Sequence, residues 1–366
     1  MERDTLTQTE LFTAGQGGYH TYRIPALLTT PSGIVLAFCE GRRDSRSDSG
    51  QIDLLSRRSL DGGLTWSAPQ VVATVPGMTC GNPCPVEDAG TGTIWLPFCQ
   101  NRADGPEGLI CEGKAPRTVW LTSSRDGGAS WAAPHEITAA AKDPSWTWYA
   151  TGPGHGIQLA SGRLVVPCDH IVGRAFDRKT DPYHSHVILS DDGGRTWRIG
   201  GIVPEGTNEC AVVEVDDGQA LYINCRNYRG AKRRAAAWSR DRGESFSGHS
   251  WEEALVEAIC QASLTRLTRA GTHDRNRVLF ANPASEVRER LTVRLSYDEC
   301  RSWAVARPLY DGPSAYSDLA VAADAAGDLT ILCLYERGAD GPYEHLTLAR
   351  FDVGWLTTGA DRVVTS

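Results

Sequence analysis

Short apolar segments alternate with turn signals along the whole chain. Two such segments flank each of a series of Gly-containing turns, which is typical of antiparallel hairpins. Gly favours these turns because it adopts the positive φ angles that they require. The turns are Pro31-Ser32-Gly33, Gly90-Thr91-Gly92, Ala160-Ser161-Gly162, Asp216-Asp217-Gly218, Ala270-Gly271 and Ala326-Gly327.

A second repeated pattern, Ser-x-Asp-x-Gly-x-Ser/Thr-aromatic, lies between these hairpins. The Asp carboxylate can accept hydrogen bonds from backbone N–H groups just downstream, and the aromatic residue can pack the turn onto its neighbours. An active site is needed once, so the repeated Asp residues are predicted to be structural. The fifth copy has Cys300 in place of Gly, which predicts a different turn geometry there. The five copies are Ser59–Trp66, Ser124–Trp131, Ser190–Trp197, Ser239–Phe246 and Ser296–Trp303.

The interleaved repeats predict units of four antiparallel strands arranged around a common axis. We therefore expect an all-β fold, a six-bladed β-propeller of four-stranded antiparallel blades, in a single catalytic domain spanning residues 1–366. The last unit lacks an Asp turn, and its third strand is expected near Leu346 to Phe351. The N-terminal segment Thr5 to Phe12 is expected to supply the missing outer strand, which would leave no exposed edge. Short helices are predicted at His135 to Lys142 and at Trp251 to Ala258.

Composition narrows the classes of function. The formal net charge of −8 and the lack of a basic tract argue against nucleic acid as a partner. No run of eighteen apolar residues predicts a membrane span. The first residues lack the basic and apolar regions of a signal peptide, and the eleven Cys residues are scattered, so we expect reduced thiols and a cytoplasmic location. Cys80 and Cys84 form the one close pair, without a second pair to complete a zinc site, and are interpreted as loop residues.

Charged residues recur at the strand ends opposite the Gly turns. In the predicted blades, the start of strand one, the end of strand two and the loop that follows all open on the same face. Guanidinium groups there would bind a planar anion through paired, charge-assisted hydrogen bonds. A single Arg is more often part of a surface ion pair, but three at matching positions indicate a binding site for a carboxylated substrate. The segments concerned are Arg23-Ile-Pro25, Glu40 to Asp48, Asn208-Glu209, Asn224-Cys-Arg226, Arg288-Glu-Arg290, Ala315 to Asp318 and Leu334-Tyr-Glu336.

These motifs together resemble the exo-α-sialidases (neuraminidases) of the bacterial and animal cytosolic kind. The resemblance rests on the five Asp boxes and on Arg23-Ile-Pro25. It also rests on Asn-Glu209 followed by Asn-x-Arg226, and on Ala-Tyr316-Ser-Asp-Leu followed by Leu-Tyr-Glu336. Asn82-Pro-Cys-Pro and Gly152-Pro-Gly-His155 are similar to segments of the animal members. The similarity covers nearly the whole chain, and the ordered set of Arg, Glu and Tyr is more specific than the Asp boxes.

The resemblance implies a role for each residue. Tyr316 would be the nucleophile, Glu209 its general base, and Asp48 the acid/base on a loop. The sugar carboxylate would be held by Arg23, Arg226 and Arg288, with Glu336 behind Arg23 and Arg42 adding positive charge. The implied reaction is retaining hydrolysis of terminal α-linked sialic acids in glycans, with no metal and no organic cofactor.

Several alternatives remain open at this stage. Asp44 and Asp53 compete with Asp48 for the loop acid. Arg290 and Arg294 share the strand parity of Arg288, so alternation does not separate them. Tyr149 and His155 either contact substituents of the sugar or belong to a packed loop. For function, the rivals are a glycosidase for deaminated neuraminic acid or Kdo, transfer to another sugar, and a non-catalytic carbohydrate-binding propeller.

Overall fold

The structure, a computed structural model, describes residues 6–173, 183–204, 206–324 and 326–365. The described chain is all-β, and its helices are short: α1 (Glu107–Cys111), α2 (Thr138–Ala141), α3 (Val353–Leu356) and a 3₁₀ turn at Asp216–Gly218. No helix within these ranges is both long and apolar enough to cross a membrane.

The strands follow one another with short connections. The first are β1 (Thr7–Thr13), β2 (Thr21–Thr29), β3 (Val35–Arg42), β4 (Ile52–Ser59), β5 (Gln70–Ala73), β6 (Met78–Gly81), β7 (Val86–Asp88), β8 (Thr93–Arg102), β9 (Arg117–Ser124) and β10 (His135–Glu136). Next are β11 (Trp146–Thr151), β12 (Ile157–Gln158), β13 (Leu164–Val172), β14 (Tyr183–Ser190), β15 (Arg198–Ile202), β16 (Thr207–Val215), β17 (Ala220–Asn227), β18 (Arg233–Ser239) and β19 (Ser247–Val256). The last are β20 (Ser263–Thr268), β21 (Arg277–Pro283), β22 (Glu289–Ser296), β23 (Val305–Ala323), β24 (Leu329–Arg337) and β25 (His345–Phe351).

Neighbouring strands pair antiparallel in successive runs. The first run is β2-β3-β4-β5; the second is β8-β9-β10 with β6 and β7 on β8; the third is β13-β14-β15 with β11 and β12 on β13. The fourth run is β16-β17-β18-β19, and the fifth is β20-β21-β22 with the first half of β23. The last run is the second half of β23, β24, β25 and β1.

Apolar clusters fill the space between consecutive runs. Strand β3 begins with an uninterrupted apolar sequence because both of its faces are buried. Leu36 and Phe38 pack against the second run, whereas Val35, Ala37 and Cys39 pack against the last run and β1. Further clusters join the second to the third run, the third to the fourth, the fourth to the fifth and the fifth to the last. Both faces of a run are therefore buried, and the last run packs back onto the first.

The Ser-x-Asp turns have the predicted hydrogen bonds. In the first copy, the Asp61 carboxylate accepts from Leu64 N at 3.0 Å, Thr65 N at 2.9 Å and Thr65 Oγ1 at 2.6 Å. Gly63 adopts a φ of 86° and donates to Ser59 Oγ. The prediction of an altered fifth turn is wrong: Cys300 takes a φ of 67° and donates to Ser296 Oγ at 2.9 Å, so the side-chain and backbone contacts of the turn outweigh the cost of this conformation.

Two predicted helices need correction. Trp251 to Ala258 is not a helix, because residues up to Val256 belong to β19, which pairs with β18. Its helix-forming residues are overridden by the hydrogen bonds that the outer edge of β18 offers. Within His135 to Lys142, only Thr138–Ala141 is helical, and it follows the short strand β10. The predicted N-terminal strand is confirmed from Thr7 onward as β1, which pairs with β25. Thr5, where the prediction began, lies outside the described residues.

All eleven Cys residues lie in the described ranges as buried free thiols. Cys80 belongs to β6 and is not a loop residue as predicted, because β6 pairs with β8. Cys84 lies outside the strands and is buried between the second and third runs.

A buried ion pair lies behind the strand end that carries Arg226. The guanidinium group of Arg234 donates to Glu257 Oε2 at 2.8 Å, to Cys260 O at 2.6 Å and to Asn224 Oδ1 at 2.7 Å. Both charged side chains are almost fully buried, at 0% and 1% exposed. Removing one partner of such a pair leaves an uncompensated buried charge.

We predict that Glu257→Ala lowers the free energy of unfolding by about 3–5 kcal/mol, because Arg234 then stays buried without its counter-ion. Urea unfolding followed by Trp fluorescence measures the change. Glu253→Ala is the matched control: its carboxylate is 83% exposed and 3.8 Å from Arg233 Nε, so a loss below about 1 kcal/mol is expected. Equal losses in the two variants would contradict the assignment.

Candidate active site

One cavity brings together side chains that are far apart in the sequence. They come from the start of β2, the end of β3 and the loop after it, the start of β16, the end of β17, the loop before β22 and the middle of β23. These are the strand ends and loops that the predicted blades would place on the face opposite the Gly turns. The predicted site residues that line the cavity are Arg23, Arg42, Asp48, Glu209, Arg226, Arg288 and Tyr316.

Tyr316, Glu209 and Arg226 form a connected group at the base of the cavity. The phenol OH of Tyr316 donates to Glu209 Oε1 and accepts from Arg226 Nη1 at 3.0 Å. The same Nη1 lies 2.6 Å from Glu209 Oε2. Burial raises the pKa of Tyr316 well above its ordinary value, and the Glu209 charge adds to this, although Arg226 and Arg288 oppose it. Tyr316 is therefore a neutral phenol with a carboxylate in place to take its proton.

Local irregularities in the strands position three of these side chains. The β23–β24 register shifts between Ser314 and Ser317, around Tyr316. The β16–β17 register shifts between Thr207 and Cys210, around Glu209. The β2–β3 register shifts just after Arg23, where Ile24 has a φ of 59°. Bulges turn a side chain out of the normal alternation, and a positive φ is rare for a β-branched residue, so these strand ends are adapted to aim particular groups into the cavity.

Glu336 holds two elements of the site together from behind. It is fully buried and binds Arg23 through Nε to Oε1 at 3.0 Å and Nη2 to Oε2 at 3.3 Å. Its oxygens also accept from Ile24 N and from Tyr316 N, both at 3.0 Å. The carboxylate thus fixes Arg23 and the Tyr316 backbone relative to each other, and it stabilises the strained conformation of Ile24. Glu336 does not itself line the cavity.

Arg288 lines the cavity, whereas its two alternatives in the sequence, Arg290 and Arg294, do not. Its Nη1 donates to Tyr343 OH at 2.6 Å, and its guanidinium lies 5.4 Å from the centre of the Tyr316 ring. Arg23 lies 5.0 Å from the same ring. Of the alternatives, Arg290 is exposed and Arg294 is buried against Asn282 Oδ1 at 2.9 Å; neither lines the cavity. Arg23, Arg226 and Arg288 therefore surround Tyr316.

Asp48 contacts two of the cations. Its Oδ1 lies 2.7 Å from Arg42 Nη1 and 3.2 Å from Arg23 Nη1, although the side chain is 67% exposed. Desolvation acts to raise the pKa of Asp48, but Arg42 and Arg23 outweigh it and hold that pKa below its ordinary value. Asp44 is exposed and does not line the cavity.

Asp53 lies away from the cavity, whereas Arg42 lines it. Asp53 is buried in a separate network with Tyr19 OH, 2.9 Å away, and Thr74 Oγ1, 2.7 Å away. Arg42 is held from the side by Glu40, with Nη2 to Oε2 at 2.7 Å, and lines the cavity. Of the three candidate carboxylates Asp44, Asp48 and Asp53, Asp48 is therefore the one that reaches the cavity.

The remaining predicted contacts lie elsewhere. Tyr149 is fully buried in the core and donates to Cys168 Sγ at 3.3 Å. His155 Nδ1 lies 2.9 Å from Asp318 Oδ1. Burial acts to lower the pKa of His155, but the Asp318 carboxylate outweighs it and leaves that pKa above its ordinary value. Neither residue lines the cavity. His155 belongs to a packed loop, as one interpretation predicted, whereas Tyr149 is packed on strand β11.

The structure adds side chains that the sequence analysis did not assign to the site. Asn82, Arg117, Trp148 and Asp169 line the side of the cavity formed by the second and third runs. Arg117 lies 4.3 Å from the Trp148 ring and donates to Asn82 Oδ1 at 2.5 Å. Asn82 was visible in the sequence as part of Asn-Pro-Cys-Pro, but nothing in the local pattern marked Asp169, which lies inside an apolar strand.

Comparison with known proteins finds relatives that match most of the chain. Residues 33–331 match a family described as "BNR repeat-like domain". Sialidase-4 of Homo sapiens is 32% identical over 456 residues, covering 95% of this chain and 93% of that protein. A sialidase of Micromonospora viridifaciens is 32% identical over 366 residues, covering 96% of this chain and 54% of that protein. The solved structure "Hadza microbial sialidase Hz136" is 29% identical, with a TM-score of 0.83 over 94% of this chain and 68% of that one.

Proposed function

The chain belongs to the exo-α-sialidase family of glycoside hydrolases, and from this we propose that it hydrolyses terminal α-linked sialic acids of glycans with retention of configuration. The observation that carries the proposal is the contact of Tyr316 with Glu209 inside a ring of three Arg side chains. We further propose that residues 1–366 act as one catalytic domain, a six-bladed propeller. The successive runs of the described residues, each of four or five strands, and the apolar clusters between them support this arrangement.

The choice of nucleophile follows from the charge of the substrate. The anomeric carbon of sialic acid carries a carboxylate, and an attacking carboxylate would be repelled by it in a dry pocket. A neutral phenol avoids the repulsion but is a poor nucleophile at its ordinary pKa of about 10. Glu209 takes the phenol proton as the Tyr316 oxygen bonds to the anomeric carbon. Arg226, 3.0 Å from that oxygen, stabilises its developing negative charge.

Asp48 completes the reaction as acid and then as base. In the first step it gives a proton to the glycosidic oxygen, whose bond to the anomeric carbon breaks as the Tyr316 bond forms. In the second step it takes a proton from water, whose oxygen displaces Tyr316, and Glu209 returns the proton to the phenol. Two inversions give retention. Each step uses only protons carried by these side chains and water.

The test of the proposed function is the release of product from a fluorogenic sialoside. Proton NMR of the product in the first minutes distinguishes the α-anomer, expected for two displacements, from the β-anomer of a single displacement. Formation of the β-anomer first would overturn the retaining mechanism. Absence of turnover on every sialoside would overturn the hydrolytic activity itself.

We predict that titration of Asp48 gives kcat and kcat/KM different dependences on pH. A general acid must carry its proton, so activity falls as pH rises through its pKa. In the free protein that pKa is held low by Arg42 and Arg23. A bound substrate carboxylate next to Arg23 adds negative charge, so the pKa of Asp48 rises in the complex. The basic limb of kcat, which reports the complex, is therefore expected at higher pH than the basic limb of kcat/KM.

The matched variant is Asp48→Asn, which keeps the shape and removes the titration. It should lose the basic limb and retain more activity on an aryl sialoside with a good leaving group than on a sialyllactose, by a factor of about 10²–10⁴. Asp44→Asn serves as the control and should leave both profiles unchanged, because Asp44 does not reach the cavity. Unchanged profiles in Asp48→Asn would remove Asp48 from this role.

A further inference from the structure

The backbone next to the proposed nucleophile is held by a side-chain amide. Gln261 lies just before β20, is 1% exposed and does not line the cavity. Its Oε1 accepts a hydrogen bond from Ser317 N at 3.0 Å, and its Nε2 donates to Ser317 O at 2.9 Å. One carboxamide thus pairs with both backbone groups of the residue that follows Tyr316, as an antiparallel partner strand would do.

The strand that carries Tyr316 is irregular at this point. Among the described residues, the second half of β23 pairs with a strand on one side only, that of β24. The shift in register between Ser314 and Ser317 interrupts this ladder around Tyr316, whose N–H donates to the Glu336 side chain instead. Buried backbone N–H and C=O groups need partners. The Gln261 amide therefore supplies, next to Tyr316, the hydrogen bonds that a strand would otherwise provide.

The amide of Gln261 is itself held in one orientation. Its Nε2 also donates to Pro153 O at 3.2 Å, and exchange of the amide O and N would bring two acceptors together at Ser317 O. Two residues further along both segments, Ser263 Oγ accepts from Leu319 N at 2.8 Å. The start of β20 thus follows the free edge of β23 over two successive hydrogen-bonding positions.

The proposed chemistry needs Tyr316 in an accurate position. The phenol OH contacts Glu209, which comes from the fourth run, whereas Tyr316 belongs to the last run. The alignment of the two side chains therefore depends on how the Tyr316 backbone is fixed. A displacement of about 1 Å at a reacting group lowers the rate by about a hundredfold.

We propose that Gln261 is a positioning residue for the nucleophile, and that its carboxamide fixes the Tyr316–Ser317 backbone so that the phenol meets Glu209. This inference rests on the proposed sialidase function and deepens it. Gln261 acts through Tyr316 and does not contact the substrate, so its replacement should change kcat and leave KM nearly unchanged. The requirement is for one acceptor and one donor at the end of a side chain of this length.

Gln261→Met keeps the approximate length of the side chain and removes both hydrogen bonds. We expect kcat for a fluorogenic sialoside to fall by about ten- to a hundredfold, because the phenol is no longer aligned. KM should stay within about threefold of the native value. The loss, expressed as a ratio to the native kcat at the same pH, should not depend on pH.

Gln261→Glu distinguishes the hydrogen bonds from simple packing. A protonated carboxyl group has one acceptor and one donor, so it reproduces both contacts with Ser317. A carboxylate has no donor and brings a second acceptor to Ser317 O. The ratio of variant to native kcat should therefore lie within about tenfold of unity at acidic pH. It should fall to the level of Gln261→Met or below as pH rises and the new carboxyl group loses its proton.

The surroundings place this titration above the ordinary pKa of Glu, which is about 4.3. Burial raises the pKa of the introduced carboxyl group, and so does the negative charge of Asp318, which lies with the Gln261 amide around Gly154. Protonated His155, the partner of Asp318, opposes this. The ionisations of the native protein cancel in the ratio. The titratable groups around this position are Asp318, His155, and the thiols of Cys84 and Cys333, which interact with Asp318.

Gln158 provides the matched control at a Gly turn of the third run. Its Oε1 accepts from Ala89 N at 2.9 Å, its Nε2 donates to Gly162 O at 3.1 Å, and it does not line the cavity. Gln158→Met and Gln158→Glu should keep kcat within about twofold of the native value at every pH. Trp fluorescence and circular dichroism at each pH check that the variants are folded.

Two results would overturn the proposal. One is a native kcat in folded Gln261→Met. The other is a ratio for Gln261→Glu that does not change with pH, or that declines only in parallel with unfolding. If Gln261→Met does not fold, the titration of Gln261→Glu decides alone. Failure of the proposed function is distinct from both results, since the native protein itself would then release no sialic acid.

Discussion

Replacing Tyr316 by Phe is expected to lower kcat by about three to six orders of magnitude, the range found when an enzymatic nucleophile is removed. The change deletes a single oxygen. Glu209 keeps its partner, because Arg226 Nη1 lies 2.6 Å from it, so no buried charge is left uncompensated and the fold should be retained. KM should change much less than kcat, since the proposed carboxylate-binding residues Arg23, Arg226 and Arg288 are all retained. Turnover of a fluorogenic sialoside measures both constants.

Tyr335→Phe provides the matched control. Tyr335 is fully buried on β24, donates to Gln8 Oε1 at 3.1 Å and does not line the cavity. It loses the same oxygen in the same run, so its activity should stay within about twofold of the native value while its stability falls by about 1 kcal/mol. A similar loss of activity in both variants would show that the Tyr316 effect is one of packing.

A covalent trap separates the nucleophile from a merely structural phenol. Fluorine at C3 destabilises the positive charge that develops on the sugar, so a 2,3-difluorosialic acid should lose the fluoride at C2 and leave a slowly hydrolysed glycosyl adduct on the protein. Mass spectrometry of the digested protein should place that adduct on the peptide containing Tyr316. The adduct should be absent from Tyr316→Phe and present in Tyr335→Phe. An adduct on Glu209 or Asp48 would refute the proposed role of Tyr316.

The repeats predicted the strand order because turn chemistry is local. The Ser-x-Asp-x-Gly copies form the same hydrogen bonds wherever they occur, even where Cys300 replaces Gly. The prediction failed for Trp251 to Ala258, where partner strand β18 decides the structure and the local helix propensity does not. Pairing partners are distant in sequence, so such decisions are not visible in a single segment.

The site was predictable in composition but not in geometry. Arg23, Glu209 and Tyr316 were visible as motifs, yet the register shifts that aim them into the cavity have no sequence signal of their own. The double role of Glu336, which binds Arg23 and the Tyr316 backbone, also depends on contacts between β2, β23 and β24. Asp169 was missed for the same reason: its place in the cavity wall is a property of the folded surroundings and not of the residue type.

Arg288→Lys is expected to lower kcat/KM by about a hundred- to ten-thousandfold. Within the described residues, Arg288 forms no ion pair with a carboxylate, unlike Arg23 and Arg226, which bind Glu336 and Glu209. Its guanidinium contacts Tyr343 OH, Ile259 O and the Tyr316 ring. Its charge is therefore free to bind the substrate. Lys keeps the charge but loses the paired hydrogen bonds of the guanidinium, each contributing about 1.5–3 kcal/mol.

A thermodynamic cycle that combines Arg288→Lys with esterification of the substrate carboxylate tests whether the loss of kcat/KM acts through that carboxylate. The native protein should turn over the methyl ester of the sialoside far more slowly than the free acid, whereas Arg288→Lys should show a much smaller difference between the two. Arg290→Lys is the control, since Arg290 is exposed two residues away and does not line the cavity. If the ester and the acid lost activity equally on mutation, Arg288 would act on the fold or on Tyr316 and not on the carboxylate. The coupling between guanidinium and carboxylate, measured in this way, decides whether the positive side of the cavity is a substrate clamp.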